Sequence, residues 1–147
     1  MNLFFYGTLK AEQVRQAVLG THHATLRIAP ATLTGYEVRQ VAGALYPMIV
    51  ASDHANIVSG LIIYDVDSES LALLDRFEGV HYQRAQVGVM TENGEEQAEI
   101  YIPDDTMIPA GLWDFDSWVN QDMARFFNED FALEGVARPR TDGEKDR

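Results

Sequence analysis

The sequence contains no cysteine among its 147 residues. This absence excludes disulfide bonds, a catalytic thiolate and zinc sites with cysteine ligands. The four histidines, at positions 22, 23, 54 and 81, show neither a His-Glu-x-x-His arrangement nor another spacing typical of metal ligands. We therefore expect a protein without a metal centre and without covalent cross-links.

Basic residues are also scarce. The 11 Lys and Arg against 23 Asp and Glu give a formal net charge of −12. Because such a charge repels nucleic-acid phosphates and anionic lipids, we expect neither nucleic acid nor a membrane as a partner. The sequence also lacks the basic start of a signal peptide, and no apolar run approaches the roughly 20 residues that span a bilayer. These patterns favour a cytoplasmic protein.

The chain shows no internal repeat and no low-complexity linker before its last residues. Its length is typical of one domain, and we predict a single domain over residues 1–133. From residue 134 the composition becomes polar and poor in apolar residues. The sequence therefore predicts a flexible polar tail over residues 134–147.

Apolar patterns within the domain favour more strands than helices. Strands are predicted at residues 3–5, 31–41, 46–51, 56–67, 82–90 and 96–103, with a possible bulge at Gly60. Helices are predicted at residues 10–20, 67–79 and 116–128. Because strands and helices do not alternate regularly, the pattern indicates an α+β fold.

The first candidate site is the short turn Tyr6-Gly7-Thr8-Leu9, between a buried strand and a helix. Such a turn leaves backbone N–H groups without intrahelical partners, and these groups together with the Thr8 hydroxyl can hold a carboxylate or carbonyl oxygen. It lacks the glycines and the Lys-Ser/Thr pair of a phosphate-binding loop. An ordinary strand-helix connection remains the alternative, since connections of about two to six residues are common.

The second candidate is Glu78 in the stretch LLDRFEG. If Gly79 ends the helix, Glu78 places a negative charge at the negative end of the helix dipole, which costs about 0.3–1 kcal/mol. A carboxylate at this position lowers the stability of the helix, and the helix dipole raises its pKa. Both properties suit a general base. The alternative is an exposed glutamate at a frayed helix end.

Together these motifs resemble the γ-glutamylcyclotransferase-like family, also called AIG2-like. The resemblance rests on Tyr6-Gly7-Thr8-Leu9, LYPMIV, SGLIIYDV, LLDRFEG, YQR and EIYI, and it extends over roughly residues 3 to 119. It implies a small mixed β-barrel with a few flanking helices. It also implies that the turn binds the glutamyl part of the substrate, that Tyr82 lies in the binding site and that Glu78 is the catalytic acid/base.

The implied reaction converts a γ-glutamyl amine or peptide to 5-oxoproline and the free amine. Because the nucleophile and the electrophile belong to one molecule, no metal or cofactor is required. One alternative is a non-catalytic module that binds a small carboxylated ligand on the same fold. Another is an enzyme that removes a γ-glutamyl group from a specialised metabolite or from a protein crosslink. The sequence leaves the amine half of the substrate and the oligomeric state open.

Overall fold

The computed structural model describes residues 1–53 and 55–140. Within these residues the chain forms eight strands and four α-helices. The strands are β1 (Leu3–Phe5), β2 (Arg27–Thr34), β3 (Tyr36–Val41), β4 (Pro47–Ala51), β5 (Ile57–Tyr64), β6 (Tyr82–Thr91), β7 (Gly94–Pro103) and β8 (Pro109–Leu112). The helices are α1 (Glu12–Leu19), α2 (Ser68–Glu78), α3 (Phe115–Gln121) and α4 (Met123–Glu129).

Five strands close into a barrel in the order β1-β5-β2-β6-β7. The barrel closes where Leu3 of β1 pairs in parallel with Glu99 of β7, while β1 pairs antiparallel with β5 on its other side. All three residues of β1 are buried. The α+β prediction and the expected closed barrel are confirmed.

A second sheet, in the order β4-β3-β8, lies outside the barrel. The sequence predicted one strand over residues 31–41, but the chain turns at Gly35, whose φ is 84°. The residues before Gly35 belong to the barrel and those after it pair with β4 in the second sheet. A glycine can adopt a positive φ without the steric penalty that a side chain would cause, so the chain can change direction here. The residues of one predicted strand are therefore divided between two sheets.

The interpretation of Gly60 as a bulge is wrong, because the pairing of β2 with β5 continues through Ala31 and Gly60 without a shift in register. A Cβ atom at Gly60 would meet the ring of Phe4, with its nearest ring atom 2.6 Å away, and would also meet the carbonyl of Phe5. The glycine is therefore required by the close approach of β1 to β5 inside the barrel.

Helix α2 follows its sequence signals closely. The Asp67 side chain accepts a hydrogen bond from the Ser70 N–H at 2.7 Å, and Gly79 ends the helix with a φ of 89°. By contrast, the single helix predicted over residues 116–128 is divided at Asp122 into α3 and α4. The division lets Trp118 and Phe126 pack edge to face, with ring centroids 5.4 Å apart in the core.

The segment 134–140, here called the closing segment, differs from the expected flexible tail because it packs against the domain. Val136 donates its N–H to the carbonyl of Phe77 at 3.0 Å, and Arg140 pairs with the buried carboxylate of Asp130. The composition predicted otherwise because most of these contacts use backbone groups, which leave no apolar pattern. The rest of the predicted tail, residues 141–147, lies outside the described residues.

Deleting residues 135–147 is expected to lower the free energy of unfolding by about 2 kcal/mol. The loss combines hydrogen bonds worth about 1 kcal/mol each with the charge of Asp130, which would remain buried without Arg140. Urea denaturation of the two proteins measures the difference. Deleting only residues 141–147 is the control, since it keeps every contact described for the closing segment. If both deletions leave the urea midpoint unchanged, the closing segment contributes nothing to stability.

Candidate active site

A pocket opens where the turn after β1 meets the end of α2. It contains about 410 Å³ of empty space, its open mouth included. The six residues predicted for the site all line this pocket: Tyr6, Gly7, Thr8, Leu9, Glu78 and Tyr82. The fold thus brings together two motifs that lie about seventy residues apart in the sequence.

The turn is a short 3-10 helix, Thr8–Lys10, that precedes α1. Arg15, on the first turns of α1, is buried and donates from Nη1 to the carbonyls of Leu9 at 2.9 Å and Lys10 at 2.7 Å. Among the described residues, no hydrogen-bond acceptor satisfies the N–H groups of Gly7, Thr8 and Leu9. Arg15 therefore fixes the turn through its carbonyl groups, and the three N–H groups remain available to an anionic or carbonyl oxygen.

Gly7 is needed for packing against β4. A Cβ added at Gly7 would lie 2.8 Å from Cγ of Pro47. The Pro47 ring itself lines the pocket. A side chain at position 7 would therefore push this wall of the pocket outward.

Glu78 is the last residue of α2 and is half-buried at the pocket. Burial raises the pKa of its carboxyl to about 8, and the nearby carboxylate of Asp75 adds to the rise. No hydrogen-bond donor among the described residues counteracts these two effects. The side chain is therefore able to hold a proton and to release it near neutral pH.

Four tyrosines surround Glu78, and each hydroxyl is engaged elsewhere. Tyr6 donates to the Tyr101 carbonyl at 2.9 Å, Tyr46 to the Ala137 carbonyl at 2.7 Å and Tyr82 to the Pro47 carbonyl at 3.5 Å. Burial raises the pKa of all four phenols, and the charge of Glu78 contributes to each rise. They form an aromatic wall that stays neutral and leaves the Glu78 carboxyl free.

The fourth tyrosine links Glu78 to a charged layer behind it. The Tyr101 hydroxyl donates to Oδ1 of Asp75 at 2.8 Å, and the same oxygen accepts from Arg84 Nε at 3.0 Å. Arg84 also donates to Glu99 at 3.1 Å. Asp75 lies one helical turn before Glu78, so this layer fixes the position of the carboxylate that raises the Glu78 pKa.

The described histidines lie outside the pocket lining. His81 Nδ1 lies 2.8 Å from the Asp104 carboxylate, in the loop that follows α2. His54 lies outside the described residues. Within the described part of the chain, no group of three or more His, Cys, Asp or Glu side chains is placed to hold a metal ion, and no helix is long and apolar enough to cross a membrane.

Comparison with known protein families places this arrangement in context. A family model described as gamma-glutamyl cyclotransferase, AIG2-like, matches residues 3–115. The chain belongs to this family. AIG2-like protein D of Arabidopsis thaliana is 30% identical over 140 residues, which cover 90% of each chain. AIG2-like protein A of the same plant is 33% identical over 121 residues, which cover 80% of this chain and 71% of the relative.

Solved structures agree with membership of the AIG2-like family. A solution structure of an Arabidopsis thaliana protein matches with a TM-score of 0.64 at 30% identity, over 86% of this chain and 85% of that chain. A structure titled gamma-glutamyl cyclotransferase matches with a TM-score of 0.61 over 99% of this chain and 96% of that chain, at 13% identity. The second likeness shows the shared fold alone.

Sequence reasoning missed several residues that line the AIG2-like pocket or support it, among them Tyr46, Tyr101, Val136 and Arg15. Tyr46 and Tyr101 lie in stretches that carried the resemblance, but their patterns indicated only strands. Arg15 lies behind the turn, and a mid-helix arginine gives no sign of burial. Val136 of the closing segment completes the wall from a stretch that was expected to be a loose tail.

Proposed function

We propose that this protein is a γ-glutamyl cyclotransferase, which converts a γ-glutamyl amine or peptide to 5-oxoproline and the free amine. One observation carries the proposal: a carboxyl with a pKa of about 8, Glu78, faces the same pocket as a turn with three unpaired backbone N–H groups. A proton acceptor beside oxygen-binding donors is the arrangement that an intramolecular acyl transfer requires.

In the proposed reaction the substrate's α-amine attacks its own side-chain amide carbonyl. Glu78 accepts a proton from the α-ammonium, and the free amine forms the new C–N bond that closes a five-membered ring. Glu78 gives this proton to the leaving nitrogen as the former amide C–N bond breaks. The ring nitrogen then loses its second proton, which leaves with the released amine as its ammonium ion, so the Glu78 carboxylate is regenerated. The products are 5-oxoproline and the amine.

The pKa of Glu78 makes the first proton transfer feasible. With ordinary values of about 4.3 for glutamate and about 8 for an α-amine, the transfer is uphill by roughly 5 kcal/mol. At a Glu78 pKa of about 8 the two groups are nearly matched, so this cost almost disappears. The buried position of the carboxyl and the fixed negative charge of Asp75 together produce the match.

The turn is proposed to bind the glutamyl part of the substrate. Its free N–H groups, from Gly7, Thr8 and Leu9, suit a carboxylate or the oxygen that becomes negative when the amide is attacked. Tyr82 and the other wall tyrosines exclude water around the reacting atoms. Their contribution is to hold the substrate in the rotamer that allows ring closure.

Incubation with a panel of γ-glutamyl amines and dipeptides, followed by assay of 5-oxoproline, tests the proposal. Release of 5-oxoproline supports the cyclotransferase. Binding without turnover of any compound would instead favour the non-catalytic module, and release of free glutamate would favour simple cleavage of a γ-glutamyl group.

Replacing Asp75 with Asn is expected to move the rise of kcat/KM with pH to lower pH by about half a pH unit. The change removes a negative charge that raises the pKa of Glu78, so the base ionises at lower pH. A pH-rate profile measured with one substrate gives the shift. Glu99→Gln is the matched control, because Glu99 also pairs with Arg84 yet does not contribute to the Glu78 pKa. Identical profiles for Asp75→Asn and the unmodified protein would contradict the role given to Asp75.

A further inference from the structure

A second concave region adjoins the candidate active site. It is an open groove that contains about 1030 Å³ of empty space, its open mouth included, between the turn after β1 and the second sheet. Tyr6 lines both the groove and the pocket, and Lys10, the last residue of the turn, lies in the groove. Residues of the turn therefore border both regions.

Lys10 is the only basic residue among the described residues that line the groove. Its ammonium donates to the carbonyl of Ser59 at 3.2 Å and lies 4.5 Å from the centre of the Phe115 ring. Partial burial lowers its pKa from the usual value, although the carboxylates of Asp116 and Asp114 oppose this effect. The ammonium keeps N–H donors beyond the one that Ser59 accepts, since a lysine has three.

The other main feature of the groove is apolar surface. Trp113 lines the groove, and Ile57 and Leu112 also line it and are 62% and 72% exposed. Apolar side chains exposed together beside an ammonium with spare donors are typical of a ligand site rather than of an ordinary surface.

Each of the two acidic residues of the groove has one carboxylate oxygen engaged. Oε1 of Glu37 accepts from Arg39 at 2.9 Å, and Oδ2 of Asp114 accepts from the Ser117 N–H at 2.9 Å as the cap of α3. A ligand that pairs with the Lys10 ammonium must carry an acceptor, and its body must be apolar.

We propose that this groove binds the amine half of the γ-glutamyl substrate, and that the preferred amine is a large apolar or aromatic amino acid with a free carboxylate. The inference rests on the proposed function, because it assigns the glutamyl half to the neighbouring turn. Lys10 binds the carboxylate of the amine half, while Leu112 and Trp113 contact its side chain. The groove thereby selects the substrate without taking part in the proton transfers.

The test compares γ-glutamyl-phenylalanine with γ-glutamyl-phenethylamine, which differs only by the missing carboxylate. We expect kcat/KM to be about tenfold higher for the dipeptide, as for a charge-assisted hydrogen bond, and this ratio to fall close to one in Lys10→Met. Arg27→Met is the matched control, since Arg27 pairs with Asp65 away from the groove. A ratio that survives in Lys10→Met would overturn the proposal.

A second variant tests the groove independently, in case Lys10→Met does not fold. Leu112 is exposed, so Leu112→Asp is expected to fold normally while it reduces the preference for γ-glutamyl-phenylalanine over γ-glutamyl-glycine several-fold. An unchanged preference would also overturn the proposal.

If the unmodified protein turns over none of these compounds, the proposed cyclotransferase activity fails, and calorimetry with the same pair still tests the groove. Tighter binding of the dipeptide that is lost in Lys10→Met supports the groove. Equal affinities, or no binding, would refute it.

Discussion

Replacing Glu78 with Gln is expected to reduce the rate of 5-oxoproline formation by about 10²- to 10⁴-fold, which is the usual contribution of a general acid/base. Glutamine keeps the volume and a carbonyl oxygen of the side chain but cannot accept the ammonium proton. Because the turn and the tyrosine wall are unchanged, the variant should still fold and still bind the substrate. Rates measured side by side, with a substrate that the unmodified protein accepts, give the result.

Glu69→Gln is the matched control for this experiment. Glu69 lies in the first turn of the same helix with its side chain 80% exposed, so it removes the same charge far from the pocket. The control should retain the full rate. Should Glu78→Gln also retain it, Glu78 is not the acid/base and most of the proposed mechanism fails.

Replacing Glu78 with Gln is also expected to stabilise the protein, by an amount that depends on pH. The pKa of Glu78 is about 8 in the folded protein against an ordinary value of 4.5, so the folded state binds more protons between these pH values. The free energy of unfolding of the unmodified protein therefore falls as pH rises from about 4.5 to about 8, and this loss is complete above pH 8. Glutamine has no proton to release, so the variant escapes the loss.

The expected gain is near zero at pH 4.5 and largest above pH 8. At about 1.4 kcal/mol per pH unit the full difference in pKa corresponds to about 5 kcal/mol, and partial exposure of Glu78 lowers the expectation to about 2 kcal/mol. Urea unfolding of both proteins at pH 5 and pH 9 measures it. A constant difference between the two proteins at both pH values would mean that the Glu78 pKa is not raised by folding.

Local signals in the sequence predicted parts of the structure well. The extent of α2, the glycine that ends it and the position of Glu78 at the helix end all depend on residues within a few positions of one another. The barrel itself was expected from the family resemblance, since its closure joins Leu3 to Glu99 and no local pattern encodes that pairing. The roles of the six predicted site residues remain proposals, although the fold brings them to one pocket.

The remaining features could not be read from the sequence because they depend on distant contacts. The sequence placed Glu78 at the negative end of the helix dipole, and the structure identifies burial, followed by the charge of Asp75, as the causes of its raised pKa. The residues that line the pocket with Glu78 include tyrosines from separate stretches of the chain and Val136. Gly60 was interpreted as a bulge, but its close neighbours are Phe4 and Phe5 of β1.

The pocket has walls from five separate stretches of the chain: the turn after β1, the start of β4, the end of α2 with the start of β6, the middle of β7 and the closing segment. An unfolded chain holds no remnant of such a site, so a ligand recognised by the whole pocket binds the native state alone. Occupancy is then thermodynamically linked to global folding. At a ligand concentration of 100 times Kd, the linkage adds about 2.7 kcal/mol to the unfolding free energy of the entire domain. The concentration of a ligand that fills the pocket therefore sets how strongly this small barrel resists unfolding.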